Sequence, residues 1–323
     1  MSQQQPPISD DVDIVRPFDR SKDEHMVKML VGQGVMEGLA RANNKIITNP
    51  LALVIVFLLG MGINHVSSFS VNSNPLSYVS PLIGPCLAFL PLMGIVEYIH
   101  RPSFTARMRK IIGAIDMIRP STYYAEGKSG IWVFQHKGEV VGVVCLDVTK
   151  NAGKQLGSVL GEEEGQLNEK DVHRDFASSN KDENDNNAPD LRRRIAGKEN
   201  KPASRIAQIR HLDVDQPYRR SGVGSELVLV ALDHAFSISS GDLSSPVDRV
   251  IVRTNPLSPD GGKLFTKCGF RPITQAEVGA AAWEKSEKIG LLGWAGEYLN
   301  VDRDTWVIKR RELLEQARVK SNR

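Results

Sequence analysis

The sequence predicts an α/β fold with a mixed central sheet, interrupted by a pair of long apolar helices. Three observations predict it. Short alternating runs are separated by stretches with helical spacing, residues 130 to 150 carry a two-strand hairpin signal, and two segments of about 18 residues or more are nearly free of charge. The 323 residues, 41% hydrophobic and 24% charged, suit a globular protein long enough to bury a sizeable core. A formal net charge of +3 is too small a basic excess for a surface that tracks phosphates, so no nucleic-acid partner is expected. Cys86, Cys145 and Cys268 stand far apart, without CxxC or His-rich spacing; they read as reduced thiols, and no metal site is expected.

Residues 1–11 are polar and read as disordered, with the pattern of neither a signal peptide nor a transit peptide. Residues 12–44 begin with an alternating strand signal, then place Val27, Leu30, Val31 and Val35 at the spacing of an amphipathic helix. Residues 46–99 change character. Two segments, about 46–68 and 77–99, match in length a hydrocarbon core of ~30 Å at about 1.5 Å per residue. They read as a transmembrane hairpin; a re-entrant hairpin and a buried helix pair are the alternatives, because Asn49, Pro50, Asn64, Pro81, Pro85 and Pro91 weaken straight spans. Arg41 and Lys45 precede the pair and Arg101, Arg107, Arg109 and Lys110 follow it. The connecting "NHVSSFSVNSNP" has no Lys or Arg, which leaves both flanks in the cytosol.

Within 100–150, "GIWVFQHKGEVVGVVCLDVTK" predicts two antiparallel strands with Gly138 at their turn. Residues 151–203 are rich in Glu, Asp, Asn, Lys and Gly and read as a disordered insertion, its Arg192, Arg193 and Arg194 either a solvated run or a contact for anionic lipid. Order resumes over 204–310. A strand at 204–215 leads through "QPYRRSGVGSEL" into a helix carrying Leu227, Val230, Ala231 and Ala235, and 248–255 is another strand. Ser258 and Pro259 open a helix that Gly269 ends, 304–310 reads as a last strand, and 311–323 as a terminal helix.

A strand, a tight Gly-containing loop and a helix N-terminus make an anion cradle, since unpaired N–H groups point outward and the helix dipole favours negative charge. Gly222 and Gly224 let backbone approach a phosphate with no Cβ in the way. The loop lacks the lysine and spacing of a Walker A motif and the spacing of a dinucleotide fingerprint.

Arg219, Gly222 and Gly224 fill the R/QxxGxG/A signature of the GNAT family of N-acetyltransferases, which the chain resembles here. A second block, "VIVRTNPLSPDGGKLFTKCGFRP", resembles that family's strand, asparagine, helix and "LYxKxGF" ending through Asn255, Leu264, Phe265, Lys267, Gly269 and Phe270. The hairpin's position after the first helix is similar to that in the camello-like branch, which includes the membrane-anchored cysteine S-conjugate N-acetyltransferases of the endoplasmic reticulum. The resemblance implies a GNAT fold, acetyl-CoA as co-substrate and an amine acceptor. It implies a lipid-bilayer location, in the endoplasmic reticulum with the catalytic domain cytosolic. The pyrophosphate would rest on the amides of Arg220, Ser221, Gly222, Val223, Gly224 and Ser225, and the pantetheine arm on the backbone of Leu212 and Val214.

Attack by an amine requires a base. Alternation puts His211, Asp213 and Asp215 on one strand face and Leu212 and Val214 on the other; that face is either the cleft or a polar solvent face. Where the family often has an acidic tyrosine, this chain has Phe265, so Tyr218 is the alternative donor, or the thiolate leaves without one. The expected activity is a membrane-anchored N-acetyltransferase acting on a small metabolite or protein amine. The alternative is an inactive acetyltransferase-like partner of another membrane protein.

Overall fold

The computed structural model describes residues 13–66, 80–125, 127–149, 205–238, 247–274, 288–290 and 292–321. The segments expected to be disordered, 1–11 and 151–203, lie outside the described residues. Seven strands form one mixed sheet, in spatial order β1 (Ile14–Pro17), β2 (Gly130–His136), β3 (Glu139–Asp147), β4 (Ile206–Val214), β5 (Arg249–Arg253), β9 (Tyr298–Asp302) and β6 (Arg271–Pro272). Strands β7 (Lys288–Ile289) and β8 (Trp294–Ala295) make a separate ribbon. Every neighbouring pair in the large sheet is antiparallel except β4 and β5. The β2–β3 hairpin turns at Lys137 (φ 49°) and Gly138 (φ 86°), the left-handed pair that a two-residue hairpin turn needs.

Two irregularities in β4 shape the site. Its register with β3 slips between Cys145↔His211 and Leu146↔Ile209, leaving Arg210 as the extra residue of a bulge. Ala207 and Ile209 before the bulge, and Leu212 and Val214 after it, all pack toward the same core, so the inward parity switches there. Arg210 and His211 are consequently both turned to the opposite face. The second irregularity is a splay: the pairing with β5 ends at Ile209↔Val252, so Arg210 to Val214 have β3 on one side and no strand on the other.

Helix α1 (Arg20–Ile47) covers one face of the sheet with Val27, Leu30 and Val31, joined by Met117 of the short α4 (Ile115–Ile118) and Tyr124 after α5 (Pro120–Tyr123). Its start is fixed by Asp19, whose carboxylate accepts from the Ser21 amide at 2.9 Å, and by a two-pronged Arg16–Asp23 pair at 2.6 and 2.8 Å. Helix α6 (Val223–Ala235) covers the other face and buries Leu227, Val228, Ala231 and Leu232 completely. It is flanked by α7 (Pro259–Lys267) and α8 (Arg303–Ser321).

The last strand expected at 304–310 is helix: α8 begins at Arg303 and the strand before it is β9. Asp302 accepts from the Thr305 amide at 2.8 Å. Trp306 and Arg310, one turn apart, both donate to the buried Asp233 of α6, at 3.0 and 2.8 Å. Four-residue spacing toward one partner is a helical arrangement, and it overrides the β-favouring "TWVI".

Between α1 and the sheet's second strand the chain forms α2 (Pro50–Val66) and α3 (Ser80–Ile112). Helix α3 runs on through Pro85, Pro91 and Pro102 and past residue 99, so the second apolar segment and the region after it share one helix. Glycines bring α2 and α3 close: a Cβ on Gly60 would lie 2.3 Å from the Pro85 nitrogen, and one on Gly84 would lie 2.1 Å from the Gly60 carbonyl. Asn64 Oδ1 accepts from the Gly84 amide at 3.0 Å across the same crossing. Outward, the pair exposes Leu51, Phe57, Leu58 and Leu90 by 55 to 69%. Residues Leu82–Ile112 make one helix long and apolar enough to cross a membrane; α1 and α2, bent by 62° at their junction, pass the same test only as one broken span. The two-span hairpin is therefore not given by length and composition alone.

Candidate active site

A cavity of about 670 Å³ opens where β4 and β5 splay apart, roofed by α1 and the end of α3 and bounded by the starts of α6 and α7. Eight basic side chains line it (Arg41, Arg107, Arg210, Arg219, Arg220, Arg253, Lys263 and Lys267) against three acidic ones, Glu37, Asp213 and Asp260. That balance suits an anionic ligand.

The loop from Arg219 to Gly222 enters helix α6 through two left-handed residues, Arg220 (φ 66°) and Gly222 (φ 114°). Gly222 is the N-cap and brings no side chain to the helix end. A Cβ there would meet no atom within 4 Å, so glycine is required by its φ and not by crowding. The amides of Ser225 and Glu226 both bond the Gly222 carbonyl, at 2.8 and 3.1 Å. Those of Arg220, Ser221, Gly222, Val223 and Gly224 make no hydrogen bond among the described residues. The resulting cradle of successive N–H groups at a helix N-terminus is one residue shorter than expected, because Ser225 spends its amide inside the turn. Gly224 is needed for packing: its Cβ would press on Leu264 of α7 at 3.0 Å.

Arg219 does not point its guanidinium at the cradle. Its Nε donates to the Val214 carbonyl at 2.8 Å, and its two terminal nitrogens grip both oxygens of Glu37 on α1. It therefore ties the loop to α1 at the mouth of the splay. Asn255 lines the cavity but turns its Oδ1 to the Leu257 amide at 3.0 Å. Gly261 and Gly262, at the start of α7, have open space where a Cβ would stand. Phe265 is 5% exposed and packs edge-on against Phe270, with ring centroids 5.2 Å apart.

Leu212 and Val214 face the α6 core, while His211 and Asp213 face the cavity under α1. Asp213 is half-buried and its carboxylate makes no hydrogen bond among the described residues; burial, eased by His211 and Arg219, pushes that carboxyl up to about 6. Helix α1 passes so close that a Cβ on Gly34 would stand 2.1 Å from Asp213 Oδ1. Asp215 is not with them: its carboxylate caps the following turn through the Gln216 amide at 2.8 Å and accepts from Gln33 at 3.1 Å. Tyr218 is also apart from the residues that line the cavity, its ring 5.1 Å from that of His136. No tyrosine lines the cavity among the described residues.

Glu37, Gly34 and Asp116 belong to the site but were not singled out from sequence. The glycines at 32, 34 and 38 inside an otherwise helical pattern were the available signal, because glycine costs a helix interior ~1 kcal/mol and is retained where something approaches closely. Asp116 sits in "GAIDMIRP" with no local pattern to mark it.

Neither a protein-family model nor a curated protein matches the chain. Among solved structures it is similar to a GNAT-family acetyltransferase from Staphylococcus aureus Mu50, at 8% identity and a TM-score of 0.35, covering 90% of this chain and 99% of that one. It is also similar to a Bacillus subtilis acetyltransferase in complex with CoA, at 16% identity and a TM-score of 0.31, covering 59% and 84%. Likenesses of this size carry no argument about function.

Proposed function

We propose that the chain is an acyl-CoA-dependent acyltransferase of GNAT type. More narrowly, it is a membrane-anchored N-acetyltransferase that moves acetyl from acetyl-CoA to an amine. The observation that carries this is the run of five unpaired amides, Arg220 to Gly224, at the start of α6, opening into a cationic cavity beside a strand edge with no strand partner. Such amides bind a pyrophosphate, and the strand edge at Arg210 to Val214, which has no strand partner and of which the Val214 carbonyl is held by Arg219, pairs with the amide-bearing pantetheine arm. Lys263 and Lys267, on one face of α7, are left for a further phosphate.

In the reaction the acceptor nitrogen attacks the thioester carbon. The N–C bond forms, the C–S bond breaks, and the proton lost by nitrogen passes to a base on the cavity floor, where His211 and Asp213 stand. A thiol with an ordinary pKa of ~8.5 leaves readily as thiolate and takes that proton back afterwards, so Phe265 in place of a tyrosine does not block turnover. The exposed apolar pair α2–α3 holds the domain at the cytosolic membrane surface.

The test is calorimetric titration of the purified full chain in detergent with acetyl-CoA, followed by an amine panel with release of free thiol as readout. Wild type should bind in the micromolar range, and Gly222→Val, which forces a β-branched residue to φ 114°, should weaken binding at least ~10-fold. Absence of acetyl-CoA binding by wild type defeats the reading. Binding without any acetylated amine favours a non-catalytic module.

A further inference from the structure

Beneath the cavity lies a buried ionic cluster that the cradle does not explain. Asp116, fully buried on the four-residue α4, receives Arg210 Nε at 2.9 Å, His211 Nε2 at 3.1 Å and the Tyr124 hydroxyl at 3.3 Å, all on Oδ2. Arg210 reaches on to the fully buried Asp147 at 3.2 Å and to the Tyr123 hydroxyl at 2.9 Å. Only the bulge in β4 lets Arg210 and His211, adjacent in sequence, reach the same carboxylate. Burying charges this deeply is expensive and contributes little net stability compared with an apolar core. Its consequence is geometric: it fixes the ring of His211.

The proton positions follow from the partners. Burial raises the Asp116 carboxyl, but the His211 hydrogen bond and the Arg210 charge outweigh it and hold the group below its ordinary value, so Asp116 is an ionised, accept-only partner. The nitrogen facing it must then carry the hydrogen. In a neutral imidazole the other nitrogen, Nδ1, is left with a lone pair, and it makes no hydrogen bond among the described residues. Around the ring stand Asp116 from α4, Tyr124 beyond α5, Cys145 directly opposite on β3, and Arg210 and Asp213 on β4 itself.

We propose that Asp116 is a positioning residue that locks His211 in its Nε2–H tautomer, making Nδ1 the proton acceptor for the incoming amine, with Asp213 beside it to favour the imidazolium as it forms. This rests on the acetyltransferase reading above. The nitrogen of the acceptor loses one proton to Nδ1 as its bond to the acetyl carbon forms. The imidazolium then returns that proton to the departing thiolate or to water, and the net charge of the site is restored.

The experiment is long-range ¹H–¹⁵N correlation NMR on the full chain in micelles, with ¹⁵N-labelled histidine and the His211 signals assigned by loss in His211→Gln. Protonated Nε2 and lone-pair Nδ1 are expected in wild type. Asp116→Asn, whose amide group can offer a hydrogen to Nε2, should shift the ring toward the opposite tautomer. With saturating amine it should lower kcat by roughly 10²–10⁴-fold while KM for acetyl-CoA stays within about threefold. Tyr123→Phe, which removes two hydrogen bonds from the same buried cluster, to Asp147 and from Arg210, without touching His211, is the control and should keep kcat within about threefold. The opposite tautomer in wild type, or an Asp116→Asn enzyme with kcat within twofold of wild type, overturns the proposal; so does an equal loss in Tyr123→Phe, which marks the cluster as purely structural. If wild type binds no acetyl-CoA, the acetyltransferase reading falls and takes the base role with it, whereas the tautomer lock is decided separately by the NMR result.

Discussion

The sheet domain and the α2–α3 pair solve opposite problems with the same device. In both, glycines let two elements approach within a Cβ's width: Gly34 brings α1 onto Asp213 of β4, and Gly60 and Gly84 bring α2 onto α3. What goes inside differs. Around β2 to β5 most buried groups are aliphatic, with Val133, Val143, Val144, Leu146 and Val250 fully enclosed, and Asp147 with its partner Arg210 is the ionic exception. In the helix pair the apolar side chains face out, while polar groups face in, as with Asn64 at the Gly84 crossing. At the pair's base Asn43 bridges Glu97 and His100, the latter only 1% exposed. Apolar side chains outward and polar groups inward is the arrangement expected of helices placed in hydrocarbon, and it is what the proposed membrane anchoring requires of this pair.

The comparison breaks most decisively at Leu58, which is 64% exposed on α2. On a helix in water, Leu58→Arg is a surface change worth no more than ±0.5 kcal/mol. In a bilayer centre it costs ~2.5–3.5 kcal/mol, roughly a hundredfold in insertion. Expected is a shift of the chain from the carbonate-resistant membrane fraction to the soluble or aggregated one; an unchanged membrane fraction would show that α2 does not sit in lipid.

The two regions were not equally legible in sequence. The apolar pair announced itself by composition, but where α3 stops did not, because Arg101 to Lys110 resemble a flank and are the last third of one helix. In the sheet domain the β2–β3 hairpin and the loop from Arg219 to Gly224 were readable because turn chemistry is local: Gly138 and Gly222 sit at positive φ. The site's outer parts were not readable. Glu37 lies 182 residues from the Arg219 it holds, and Asp116 lies 95 from His211. Strict alternation put His211, Asp213 and Asp215 on one strand face, cleft or solvent, without the bulge that adds Arg210 to it. The segment 304–310 was misread because its β-branched residues outweighed a helical spacing set by a partner, Asp233, about 70 residues away.

At Gly34 the comparison can be sharpened through a change of sign. Gly34→Ala should gain ~1 kcal/mol of helix propensity, yet its methyl would fall 2.1 Å from Asp213 Oδ1, which has to move. The single variant should be destabilised by ~1–2 kcal/mol in chemical denaturation and lose at least ~10-fold in kcat. In an Asp213→Ala background the same substitution should stabilise by about the propensity difference. Equal effects in both backgrounds would mean that α1 does not press on Asp213.

The smallest effect expected is a pH dependence carried by Asp213. Its carboxyl lies at about 6 in the folded chain against an ordinary 3.8, so between those values the folded state binds more protons than the unfolded one. This contribution is therefore complete below about pH 4, is lost as pH rises through about 6, and leaves the ionised form at a disadvantage above that. At ~1.4 kcal/mol per unit, with allowance for a carboxyl partly open to the cavity, the loss is on the order of 1–2 kcal/mol. Asp213→Asn should remove it: the variant should gain stability over wild type at pH 7.5, and the two should converge near pH 4.5, as read from urea midpoints at each pH. A variant with the wild-type slope between pH 4.5 and 7.5 would assign the dependence to another group and leave Asp213 an ordinary, water-exposed carboxylate at the cavity floor.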